Sequence, residues 1–302
     1  MRRTLIHCAA LFVGVLFSFA HTTTGVAEGD RHSLRFKFEK GESTYNAVRQ
    51  QVSIGVEFNG VDEKAEYSAN SIRHFKVLDI DADGNATLEL MIDRCFMSST
   101  QHGATVEYDS TNLGQPVPPE HLHVAALIGR ASVQIKVSPT GVVKGITPLL
   151  GQPEEKIDHA EQKLDILFAL PEESVAVGDS WKETYTSEVV VAPMGMLKKL
   201  IKMERRYKLT EVESGVATID VKTVILSPDI PPDQEAQLIQ KQWMGEIRFD
   251  IAAGRMLSRT QKVDGQVAGF DKGKGLLTVK SSKADVYAPQ EKLAGIDLRT
   301  VK

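Results

Sequence analysis

From residue 34 onward the chain alternates apolar and polar positions with a period of two. Leu34, Phe36 and Phe38 alternate with Arg35, Lys37 and Glu39. Val52, Ile54, Val56 and Phe58 share one face of a second stretch, and Ala86, Leu88, Leu90 and Ile92 one face of a third, with Met91 off pattern. Val133, Ile135 and Val137 repeat the pattern, as do Ala217, Ile219 and Val221, and then Ile247, Phe249 and Ile251. Such stretches are antiparallel strands with one dry and one wet face. Turns punctuate them at Asp83-Gly84, Pro139-Thr140-Gly141, Ser214-Gly215 and Ala252-Ala253-Gly254.

Helical spacing interrupts the alternation in two or three places. Pro153 followed by Glu154 and Glu155 opens a helix suited to its positive end, and Ile157, Ala160, Leu164, Leu167 and Phe168 give it an apolar stripe over about 152–169. Residues 120–129 and 232–240 are shorter candidates. The hairpin 74–89 has a faint counterpart in 206–220, and each is followed by a helical connection and a second hairpin, 133–146 and 247–257. The expected fold is therefore mainly β. It is a curved, incompletely closed antiparallel sheet with two or three helices against its concave face, and its two pseudo-repeats lie at about 34–150 and 181–288. No composition break separates these halves, so residues 28–302 are read as a single β-rich domain.

The first 27 residues read as a signal peptide. Arg2 and Arg3 start it, residues 5–20 are apolar, and small Gly25 and Ala27 suit a signal peptidase. The apolar run is shorter than the roughly 20 residues a spanning helix needs, and no later segment approaches that length. This predicts export to the periplasm or cell envelope, with no transmembrane segment after cleavage. Only Cys95 then remains, so no internal disulfide is available and the fold rests on its hydrophobic core. Cys95 is read as a structural thiol, with Arg94 on the opposite face of its strand.

The chain has 302 residues, 42% of them apolar and 25% charged, which is ordinary for a globular protein. Its net charge is −4 and becomes more negative once Arg2 and Arg3 leave. With no basic block, this argues against nucleic acid as a partner.

Three stretches carry a resemblance. They are 34–42 (Leu-Arg-Phe-Lys-Phe-Glu-Lys-Gly-Glu), Leu170-Pro171-Glu172 with Val177-Gly178-Asp179-Ser180-Trp181, and Gly245–Asp250 with Gly254-Arg255-Met256-Leu257. Together they resemble an exported domain-of-unknown-function family abundant in planctomycete bacteria. The layout is also similar to the lipoprotein-carrier (LolA-like) architecture, a curved open sheet wrapped over helices. The first resemblance implies location and fold but no chemistry.

The candidate chemistry is sparse. Asp79, Asp81 and Asp83 with Gly84 stand where a calcium loop would begin, but its twelfth position is Leu90 where a bidentate Glu belongs. The reading favours an acid-bearing hairpin turn, with these three aspartates as the metal candidates. His121 and His123 would point in different directions on a helix. Residues 269–275 imitate a phosphate loop with the wrong spacing, and hydrolase signatures are lacking. No catalytic or cofactor motif is recognised. The least ordinary segment is 189–197, where Pro193 and Gly195 sit among Met194, Met196 and Leu197, with Lys198, Lys199 and Lys202 beside them. Flexible methionines next to cations suit a gate for an apolar ligand. The expected function is a non-enzymatic exported protein that binds a lipid, another apolar small molecule or an envelope protein partner. The rivals are an envelope enzyme with scattered catalytic residues and a structural or assembly subunit.

Overall fold

Among the described residues twelve strands form: β1 (Ser43–Phe58), β2 (Val61–Ile80), β3 (Ala86–Gln101), β4 (Ala104–Asp109), β5 (Ala131–Val137), β6 (Val143–Pro148), β7 (Ser180–Val190), β8 (Lys198–Glu213), β9 (Val216–Ile225), β10 (Met244–Asp250), β11 (Arg255–Gly269) and β12 (Gly275–Tyr287). The computed structural model describes residues 30–150, 167–191 and 197–300. All twelve strands belong to one antiparallel sheet of order β6-β5-β3-β2-β1-β12-β11-β10-β9-β8-β7, with β4 added beside β3. The sheet is not closed, and β6 and β7 are its two ends. The mainly β, open-sheet expectation holds.

The predicted periodicity decides which face is buried. On β8, Ile201, Met203, Tyr207 and Leu209 point inward, and on β9 so do Ala217, Ile219 and Val221. The β3 ladder is irregular just past Met91: the pairing jumps from Ile72↔Arg94 to Arg73↔Ile92, which leaves Asp93 unpaired in a bulge. The bulge changes the parity, so Leu88 and Cys95 are both buried although one is even-numbered and the other odd.

The helix expected over about 152–169 lies almost wholly outside the described residues. The short helix Leu122–Ala125 packs Val124 and Ala125 beside Cys95 and Met97. The helix Pro232–Leu238 buries Leu238 against Val189, Ile201 and Met203, and the turn after it buries Ile239 against Val263, Val267 and Val279. Both helices cover the inner face. The hairpin–helix–hairpin order recurs in β2 to β6 and in β8 to β11, and both sets run along the sheet in the same direction. No helix among the described residues is long and apolar enough to cross a membrane.

One stretch departs from its expected role. Residues 34–38 are extended but belong to no ladder of the sheet. They run instead between two hairpin turns: Phe36 N–H donates to Pro139 O (2.7 Å), and Lys37 N–H donates to Gly254 O (2.9 Å). Leu34 and Phe36 enter the core with Phe168 and Phe249, and the ring centroid of Phe36 stands 5.3 Å from each of those two rings. Phe38 touches both this core and the one formed by Val77, Leu88 and Ile135. Gly141 and Gly254 make the close approach possible. Both have left-handed φ (79° and 64°), and a Cβ would fall 2.1 Å from Phe168 O at Gly141 and 2.7 Å from Lys37 N at Gly254.

Gly254→Ala and Gly141→Ala should therefore each lower stability by at least about 2 kcal/mol, from left-handed strain plus displacement of the threaded backbone. Urea unfolding followed by tryptophan fluorescence measures this. Midpoints equal to that of the unaltered protein would show that the segment is not clasped.

Candidate functional site

The outward face of β7–β11 is set by the same alternation that fills the core. With Met203, Tyr207 and Leu209 inside, β8 turns Lys202, Glu204, Arg206 and Lys208 outward. The two-residue turn Ser214-Gly215, with φ of 50° and 81°, fixes the β8–β9 register. That register aligns Lys182 with Arg206, Arg206 with Lys222, Lys222 with Met244 and Met244 with Lys262 across five strands. Like charges placed directly opposite one another destabilise a sheet. Glu204 offsets part of this cost. Its carboxylate lies 3.0 Å from Lys182 Nζ and accepts a hydrogen bond from Arg206 Nε at 2.7 Å, although the residue is only 4% exposed. Arg206, then Lys182, hold the Glu204 carboxyl below the usual carboxylate range. Lys222 and Lys262 have no ion-pair partner among the described residues. These side chains border an open groove of about 820 Å³ in which five cations meet two carboxylates.

Where β7 and β8 reach the limit of the described residues, apolar side chains are open to solvent. Leu197 is 60% exposed, Leu200 65% and Val190 40%. Lys198 bridges to Glu188 at 2.7 Å across the same hairpin. Of the predicted gate residues, Leu197 is at this end, while Met194 and Met196 lie outside the described residues.

Asp79, Asp81 and Asp83 sit at the β2–β3 turn, each in a different setting. Asp79 accepts a hydrogen bond from Lys40 at 2.8 Å. Asp81 accepts the backbone N–H of Asn85 at 2.9 Å and that of Asp83 at 3.1 Å, and pairs with Lys136 at 2.8 Å. Lys136 and Asn85 hold its carboxyl well below the usual range. No three His, Cys, Asp or Glu side chains among the described residues are grouped as a metal would need. His121 is buried beside Tyr108, while His123 is exposed. Cys95 is buried, and desolvation raises its thiol to about 11.

The inner face carries a polar layer that the periodicity did not reveal. Asp285 accepts from Asn46 Nδ2 at 2.6 Å and from Arg259 at 3.3 Å, all three being buried. Arg73 is also beside them, its pKa lowered by burial. Further round, Tyr207 donates to Glu183, whose cross-strand neighbour is Arg205. Burial raises the Glu183 carboxyl above its ordinary value. Arg259, Gln261, Ser281 and Asp285 occupy inward positions of two long strands at a spacing that keeps period two.

Residues 158–253 match a family of unknown function, DUF6263. The match spans 170–181 and 245–250 among the stretches that carry the unknown-function resemblance, whereas 34–42 and 254–257 lie outside it. No curated protein matches the chain. Among solved structures, the translocator domain of autotransporter NalP from Neisseria meningitidis is similar over 82% of this chain and 89% of that one, at 8% identity and a TM-score of 0.31. The COG4313 outer membrane channel from Pseudomonas putida F1 covers 84% of this chain and 98% of its own, at 9% identity and a TM-score of 0.27. The Pseudomonas aeruginosa MucA/MucB complex matches over 80% and 88%, at 8% identity and a TM-score of 0.12.

Two titrations should be visible. Asp81 has a depressed folded pKa, so its stabilisation is present above the ordinary value of 3.8 and is lost as the pH falls below it. Asp81→Asn should cost stability at pH 6, and its unfolding midpoint should converge on that of the unaltered protein as the solution is acidified. Glu183 has a raised folded pKa, so the folded state binds its proton more tightly than the unfolded chain. Stability then falls as the pH rises through the window above the ordinary 4.5, and Glu183→Gln should gain on the unaltered protein across that window. Parallel stability–pH curves for the two proteins would contradict this account.

Proposed function

We propose that this is an exported, non-enzymatic binding protein of the cell envelope, and that the end of the β7–β8 hairpin meets an apolar ligand such as a lipid chain. One observation carries the reading: Leu197, Leu200 and Val190 stand exposed together at the end of a long hairpin, beside Lys198 and Lys199. Exposed apolar side chains grouped in one place mark contact sites more often than scattered ones do. The neighbouring lysines suit an amphiphile with an anionic head, their stems lying along its apolar part. The signal-peptide pattern of residues 1–27 supports the location.

A second reading, an envelope protein as the partner, is favoured by the core. The described inner face is covered at one side by Leu34 and Phe36 and at another by Leu238 and Ile239, all four of them buried. Where the described inner face is covered, the outer face and the hairpin end are the surfaces offered to others.

Leu197→Ser combined with Leu200→Ser should weaken saturable uptake of a fluorescent fatty acid roughly tenfold or more. Both side chains are exposed, so the melting temperature should stay put. Absence of saturable uptake by the unaltered protein would remove the lipid reading and leave the protein-partner reading.

A further inference from the structure

We propose that the groove on the outward face of β7–β11 is a docking site for an extended, acidic polypeptide segment of a partner protein. The site is separate from the hairpin end and does not depend on that reading.

The argument begins with charge. The whole chain is net negative, −4, yet this groove collects Lys182, Arg206, Lys208, Lys222 and Lys262 against Glu204 and Asp220. Four of these cations lie in one cross-strand row, with Lys182, Arg206 and Lys222 on successive strands directly opposite one another and Lys262 beyond Met244. Glu204 holds only the first two, at Lys182 and Arg206. An anionic partner would discharge the remainder.

Shape narrows the class. Neighbouring strands are spaced about 4.8 Å apart, so the row from Lys182 to Lys262 is roughly 19 Å long. A lone phosphate would reach two or three of these cations and leave the rest. An extended polypeptide brings same-side carboxylates past every 6.8 Å or so, within the reach of flexible lysines along the whole row. Met244, 43% exposed between Lys222 and Lys262, offers an apolar contact that a peptide side chain can use. Nucleic-acid bases are held largely by stacking on exposed rings. Here the aromatic side chains nearest the groove, Trp181 and Tyr207, stack on each other at 5.5 Å, and Tyr207 is 1% exposed. The surface therefore suits carboxylates on a peptide better than nucleic acid.

Titration of the purified protein with fluorescent poly-L-glutamate, followed by anisotropy at low ionic strength, tests the proposal. Saturable binding that weakens steeply with added salt is expected. Lys222→Glu with Lys262→Glu should reduce the affinity at least tenfold. Both lysines are exposed and lack ion-pair partners, so circular dichroism and the melting temperature should be unchanged. Should that double variant fold poorly, the milder Lys222→Gln with Lys262→Gln replaces it, with an expected loss of roughly threefold. Undiminished binding by a folded variant, or no saturable binding by the unaltered protein, would overturn the proposal. Tighter binding of polygalacturonate than of poly-L-glutamate would overturn it in favour of a glycan.

Discussion

The structure depends on one threaded contact, the passage of residues 34–38 between the turns 139–141 and 252–254. An open sheet of twelve strands has no ladder to hold its curvature, and its two halves carry separate apolar clusters. The threaded segment joins them. Phe36 N–H bonds the β5–β6 turn and Lys37 N–H the β10–β11 turn. Leu34 and Phe36 fill one cluster, and Phe38 reaches both. Leu170 N–H donates to Thr140 O at 2.8 Å and adds a second strap on the same turn. Burial of large aromatic side chains and their edge-on packing supply the energy, while the glycines supply the room.

Around this contact the interior is layered rather than uniformly apolar. Apolar clusters lie at the threaded segment and beneath the helix Pro232–Leu238, and the polar inward residues Asp285 and Arg259 lie on β12 and β11, which also contribute Val279, Val263 and Val267 to an apolar cluster. Buried charges are tolerable where each meets partners, and Asp285 has both Asn46 and Arg259. The same logic makes Glu183 dear to ionise: Tyr207 hydrogen-bonds it, yet burial still prevails and raises its pKa. A polar layer of this kind constrains register more than it adds stability, because a slip of one residue in either strand would turn Asp285 or Arg259 outward and separate the pair.

Much of the sheet was legible because its inward positions are Ile, Leu, Val and Phe at a spacing of two. Ala217, Ile219 and Val221 were read as one face, and they are one face. The reading weakened where physics other than burial chose the residue. Residues 34–38 alternate like a strand, but period two reports an extended backbone with one buried side and says nothing of ladder bonds. Asp93 hid a bulge, since pattern reading counts positions and a bulge inserts one. On β11 and β12 the inward residues mix Val263, Val267 and Val279 with Arg259, Gln261, Ser281 and Asp285, so neither face looked uniformly dry. The hairpin end was noticed from its odd composition. The cation row was not, because Lys182, Arg206, Lys222 and Lys262 are scattered in sequence and become neighbours only through the register of four successive strand pairs.

That register explains why the row can persist. A surface cation normally relaxes by swinging away or by shifting its strand, and Lys222 keeps only the first option. Its neighbours Val221 and Thr223 are buried on the inner face, so moving β9 by one residue would turn them outward and bury Lys222 and Asp220 in their place. The hydrophobic cost of that exchange, of order 1.5–3 kcal/mol for each large apolar side chain exposed, exceeds what a pair of opposed surface cations loses by repulsion, typically 1 kcal/mol or less. The core thus imposes on the outer face an arrangement of charge that the outer face alone would not adopt. An anionic partner arriving at that face would find the cations already in place and would not have to order their strands in order to bind, which is the condition under which electrostatic complementarity contributes most to association.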